Sequence, residues 1–88
     1  MDSCPVELRK SAEKDLRRIT PDQLPRIVEA ITGLGTDPLP HGCRKLADSD
    51  HTYRVRVGDY RVIYQFQTRP RGVVIERIRH RREVYRDL

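Results

Sequence analysis

A chain of 88 residues has room for one domain, 1–88, and excludes a second. Its composition, 36% hydrophobic and 35% charged, contains no apolar run long enough to span a bilayer or to act as a secretory leader, so the expectation is a soluble cytoplasmic protein without a membrane partner. The formal net charge of +5 is uneven, with residues 1–52 balanced at −1 and residues 53–88 at +6, and 15 of the 18 basic residues are Arg, whose planar fork grips phosphate.

In chain order, Pro5 to Leu8 reads as a short strand. SAEKDLRRI then opens on a cap-competent Ser11 and places Ala12, Leu16 and Ile19 on one helical face. TPDQLPRIVEAITGLG carries a capping-box pattern, Thr20 with Gln23 three positions on and proline between. Pro25 needs no backbone donor only in a first turn, which moves the regular start to near Asp22. Leu24, Ile27, Val28, Ile31 and Leu34 follow the i, i+3, i+4, i+7 stripe, and Gly33 with Gly35 marks its end. TDPLPHG, residues 36–42, reads as a loop that delivers the chain into CRKLADSDHT. Cys4 and Cys43 have no metal-site spacing and suit reduced thiols.

From Tyr53 the period changes from 3.6 to two. Gly58-Asp59 between alternating runs is the composition of a type II′ hairpin turn, with glycine where positive φ is needed. That turn sets Val57 opposite Tyr60, Arg56 opposite Arg61, Val55 opposite Val62, Arg54 opposite Ile63 and Tyr53 opposite Tyr64. One face then holds Tyr53, Val55, Val57, Tyr60, Val62, Tyr64 and Phe66, and the other holds Arg54, Arg56, Arg61, Ile63 and Gln65. Like charges directly opposite each other lower stability unless something compensates. A bound phosphate would do so; Asp59, Glu76 or Glu83 would offer an internal alternative.

TRPRG, residues 68–72, reads as a turn into a third run, VVIERI, whose alternation leaves open whether Glu76 or Arg77 joins the basic face. The following RIRHRREVY supplies Arg77, Arg79, His80, Arg81, Arg82 and Tyr85, and HRREVYRDL suits a short closing helix. His80 suits either acid-base work or a structural hydrogen bond, and Tyr85 either base stacking or packing. No P-loop, dinucleotide fingerprint or metal-ligand spacing is present, so no cofactor is expected.

KLADSDHTYRVRVGDYRVIY followed by RIRHRREVYR resembles the RelE branch of the RelE/ParE toxin superfamily, over nearly the whole chain. The resemblance implies an α+β fold: a small twisted antiparallel sheet with two N-terminal helices packed on one face and a short C-terminal helix. It implies a toxin of a type II toxin-antitoxin system, a ribosome-dependent endoribonuclease that cuts mRNA in the A site, with 16S rRNA contacts, and that a cognate antitoxin neutralises. By position it assigns catalysis to Arg54, Arg56, Arg61, Arg81 and Tyr85, and RNA binding to Lys45, Arg77, Arg79, His80 and Arg82. Some relatives carry lysines where Arg54 and Arg56 stand, which leaves the general base open, since arginine stays protonated. The competing classes are a ParE-like inhibitor of DNA gyrase with the same fold and a basic RNA-binding module without chemistry.

Overall fold

Segments of period two become strands here and segments of period 3.6 become helices, with departures at the helix ends and in the sheet. The computed structural model describes residues 3–82. They run as β1 (Val6–Leu8), α1 (Lys10–Arg17), α2 (Leu24–Thr36), β2 (Arg44–Lys45), β3 (Thr52–Val57), β4 (Tyr60–Thr68) and β5 (Arg71–His80). The strands form one five-stranded sheet in the order β1-β5-β4-β3-β2, with both helices packed against one face. The fold is α+β as expected, but the sheet is mixed rather than wholly antiparallel. β1 joins β5 in parallel, Val6 to Leu8 opposite Val73 to Ile75, because two intervening helices carry the chain back to its starting end. Of the closing helix expected over residues 80–88, His80 belongs instead to β5, Arg81 and Arg82 enter a helical turn, and residues 83–88 lie outside the described residues.

Helix α1 starts at Lys10 with Arg9 as its cap and no side-chain cap. Ser11 is not that cap: its hydroxyl donates to the Glu76 carbonyl of β5 at 2.9 Å, where a strand-edge acceptor needs a partner. Ala12 and Ile19 are buried as the stripe requires, and so is Asp15, 8% exposed, on the same stripe. Before α2, the Thr20 carbonyl accepts from the Gln23 and Leu24 N–H groups, both at 3.0 Å, so the regular helix begins at Leu24 rather than near Asp22, again without a side-chain cap. Pro25 sits in the first turn, as expected.

Gly33 and Gly35 lie inside α2, which continues to Thr36. Gly35 serves another end. A Cβ there would stand 3.1 Å from the Cys4 carbonyl oxygen and 3.2 Å from the Val6 side chain, so glycine is what lets the entry to β1 cross the helix. Ile27, Ile31 and Leu34 are buried, whereas Val28 is 46% exposed, because it stands one residue round the helix from Ile27 and beyond the reach of the sheet.

The hairpin forms in the expected register throughout, Val57 opposite Tyr60 back to Tyr53 opposite Tyr64, and Thr52 opposite Gln65 extends it. Gly58 has φ +60 and no non-glycine residue among the described ones has positive φ, which fits the type II′ turn. Val62 and Tyr64 are buried; Tyr53, Val55, Val57, Tyr60 and Phe66 pack around them. The Tyr64 hydroxyl donates to the Pro38 carbonyl at 2.7 Å, and burial pushes its pKa well above the usual phenol value. That bond ties the 37–43 loop to the core.

Strand β5 carries a bulge. Ile75 lies opposite Tyr64 and Arg77 opposite Ile63, which leaves Glu76 as the extra residue. Val73, Ile75 and Ile78 are all buried, although Ile78 breaks the parity of the other two. The outer edge of β5 past β1 is covered by α1. Asp15 Oδ2 accepts from the Ile78 N–H and from Arg77 Nε, both at 2.9 Å, and Oδ1 accepts from Arg77 Nη2 at 3.3 Å.

Two losses of stability follow, both read from denaturant unfolding. Tyr64→Phe leaves the Pro38 carbonyl without its donor and lowers stability by about 1 to 3 kcal/mol. Asp15→Ala strands the Ile78 N–H and lowers it by roughly 2 to 3 kcal/mol, a large share of what a domain this small possesses.

Candidate nucleic-acid interface

With helices on one side of the sheet, alternation sends the other residues of β3, β4 and β5 to the opposite side. The pairings lay these out in two rows. Arg56 faces Arg61, and Arg61 faces Arg79. One row further from the hairpin turn, Arg44 faces Arg54, Arg54 faces Ile63, and Ile63 faces Arg77. Residues two apart on a strand stand roughly 7 Å apart, and neighbouring strands about 4.8 Å apart, so long guanidinium arms from both rows reach a common volume. Arg44, Arg54, Arg56 and Arg61, with Gly42, line a cleft of about 310 Å³.

The structure thus brings together the three arginines read from the hairpin, and adds Arg44. Nothing in the sequence marked Arg44, because β2 is two residues long and shows no alternation; only its pairing with β3 places it. The same register sets Lys45 opposite Tyr53, on the other side of the sheet from Arg44 and Arg54. Arg79 joins the arginine side through its pairing with Arg61.

The bulge turns Glu76 and Arg77 to the arginine side together, which answers the ambiguity of VVIERI. Glu76 accepts from Gln65 Nε2 at 2.6 Å and pairs with Arg9 Nε at 3.4 Å. Arg77 is drawn over the sheet edge into the ion pair with Asp15. Asp15 itself was legible as an acid on the apolar stripe of α1, a signal that points to a buried partner.

His80, Arg81 and Arg82 gather elsewhere, with Asp59 around a second cleft of about 480 Å³ at the turn end of the hairpin. The Arg81 N–H donates to the Asp59 carbonyl at 2.8 Å, which fixes the first residue beyond β5 to the turn. The His80 ring stands edge-on to Tyr60 with centroids 5.2 Å apart, and its Nδ1 accepts from the Arg82 N–H at 3.2 Å. Tyr85 lies outside the described residues.

Among the described residues no carboxylate forms an ion pair with Arg44, Arg54 or Arg56, and no group of three or more His, Cys, Asp or Glu is arranged to hold a metal. No helix among them is long and apolar enough to cross a membrane. Concentrated guanidinium charge on a sheet face that neither α1 nor α2 covers suits a polyanion with repeated phosphates, and several forks converging on one phosphate stabilise charge that develops on it.

Comparison with known proteins finds relatives along nearly the whole chain. The sequence profile of the ParE toxin of type II toxin-antitoxin systems matches residues 6–85. The candidate toxin RelE1 of Methanocaldococcus jannaschii is 35% identical over 85 residues, covering 93% of this chain and 94% of that protein. Toxin RelG of Mycobacterium tuberculosis is 33% identical over 82 residues, covering 92% and 94%. The archaeal RelE-RelB complex from Pyrococcus horikoshii contains a chain that superposes with a TM-score of 0.80 at 27% identity, over 90% of this chain and 96% of that one.

Because Arg56 opposes Arg61 across the pair, Arg56→Thr is expected to raise stability by about 0.2 to 1 kcal/mol while weakening anion binding. Thermal unfolding with and without heparin checks both. The polyanion should raise the midpoint of the native protein by more than that of the variant, and an equal rise in the two would remove Arg56 from the anion site.

Proposed function

The chain belongs to the RelE/ParE toxin superfamily of type II toxin-antitoxin systems, and from that premise we propose that it is a ribosome-dependent endoribonuclease that cleaves mRNA in the A site. The observation that carries this reading is the convergence of Arg44, Arg54, Arg56 and Arg61 on one cleft. A ParE-like binder of gyrase has no need of converging forks at a phosphate-sized site, although the ParE profile keeps that activity as the second reading.

The chemistry is attack of a ribose 2′-oxygen on the adjacent phosphorus. A P–O bond to the 2′-oxygen forms and the bond to the 5′-oxygen breaks, giving a cyclic phosphate and a 5′-hydroxyl end. Arg54, Arg56 and Arg61 surround the phosphorane and stabilise its extra negative charge. Arg81, held at the hairpin turn through Asp59, serves the leaving 5′-oxygen by hydrogen bonding. None of these arginines gives up a proton, so the 2′-hydroxyl proton passes to water and the departing 5′-oxygen takes its proton from water. Rate then comes from charge and from the alignment that the ribosome imposes on the mRNA.

With translating ribosomes as its site of action, the protein works in the cytoplasm. The Pyrococcus relative is a RelE-RelB complex, which supports a cognate antitoxin for this chain as well, one that covers the arginine side and carries acidic groups to it.

Primer extension on a reporter mRNA in a reconstituted translation reaction tests the reading. Cuts should appear only on translating ribosomes and fall within A-site codons. Arg61→Ala and Arg81→Ala should each lower the cleavage rate at least a hundredfold and abolish growth inhibition, as loss of one charge-stabilising donor does elsewhere. Undisturbed mRNA and translation, together with inhibited DNA supercoiling, would replace this reading with the gyrase one.

A further inference from the structure

The cleft described above is not symmetric about the hairpin. Three of its arginines come from the paired strands β3 and β4, but the fourth, Arg44, stands on the edge strand β2, and the next residue lining the cleft is Gly42. Gly42 brings no side chain, and no described residue comes within 4 Å of where its Cβ would be. The cleft is therefore walled by guanidinium groups on the β3–β4 side and open over the 42–44 segment. On the opposite side the row continues through Arg79 on β5, and beyond the second row Arg77 is turned away into its pair with Asp15. Positive charge thus crosses the sheet from Arg79 through Arg61 to Arg56, steps along β3 to Arg54 and crosses again to Arg44.

We propose that single-stranded RNA runs across the strands along this line and leaves over Gly42, with Arg44 binding the phosphate that neighbours the one held by Arg54, Arg56 and Arg61. This rests on the phosphate-binding reading above and adds to it a direction and a binding residue. Arg44 suits the role because it is exposed, lies directly opposite Arg54 and has no ion-pair partner among the described residues. Its position is set by the 37–43 loop, which the Tyr64 bond to Pro38 fastens to the core.

The test is a length series of 2′-O-methyl RNA oligonucleotides, two to six nucleotides long, which bind without being cut. Titrated at low salt into the free protein, they should show affinity rising in steps as successive phosphates are engaged. Arg44→Ala should erase one step, a loss of about tenfold that appears only once the RNA is long enough to pass the first phosphate. It should also reduce the slope of log K against log salt by about 0.7, the share of one single-strand phosphate. Arg44→Lys should restore most of both, since a point charge suffices to bind a phosphate. A length series for Arg44→Ala that parallels the native one, in a variant with unchanged unfolding midpoint, would overturn the inference and leave the phosphate site standing. Absence of any RNA binding by the native protein would instead overturn the phosphate site itself, and the inference with it.

Discussion

The structure turns on a single extra residue in β5. Parity requires that every second side chain of a strand face the core, and Val73, Ile75 and Ile78 cannot all do so in a regular strand. Setting Glu76 out of register as a bulge lets Ile78 return to the core face opposite Val62, and the same shift carries Arg79 to the side of Arg61. Were Glu76 paired regularly, Arg77 would lie opposite Val62 among the helices, and burying an unpaired guanidinium is far more costly than a bulge. Core and basic face are thus fixed by one irregularity.

Much of the N-terminal part serves that irregularity. β1 pairs with β5 only as far as Ile75, and from there the strand edge is satisfied by groups from the start of α1. The Arg9 N–H donates to the Ile75 carbonyl, Ser11 to the Glu76 carbonyl, and Asp15 accepts from Ile78 and Arg77. Covering an edge in this way also blocks it as a template for further strands. The acid on the apolar stripe, which is costly alone, becomes the clamp on the strand it faces.

The functional side is built against local stability. Arg44 opposite Arg54 and Arg56 opposite Arg61 place like charges directly across from each other, an arrangement a sheet tolerates because the other face supplies Val62, Tyr64, Ile75 and the helices with a continuous core. An anion relieves the repulsion, so binding and folding stability are coupled by the same residues. Arginine in place of lysine keeps that charge present at every physiological pH and gives each contact a fork, at the expense of any group able to take a proton.

Local sequence determined whatever depends on neighbours along the chain. Gly58-Asp59 fixed the hairpin register, the 3.6 period fixed α1 and α2, and together these were enough to separate Arg54, Arg56 and Arg61 from the core. Tertiary structure alone decided where chain neighbours are silent. Arg44 entered the cleft and Lys45 left it because of pairing to a strand eight to ten residues away. Ser11 gave up capping for a carbonyl 65 residues distant, and the choice between Glu76 and Arg77 was resolved by a bulge that puts both on one side. The reason is the same in each case: alternation and capping are short-range rules, whereas the partner of an edge strand, or of a lone buried carboxylate, is set by which distant backbone groups are left without a hydrogen bond.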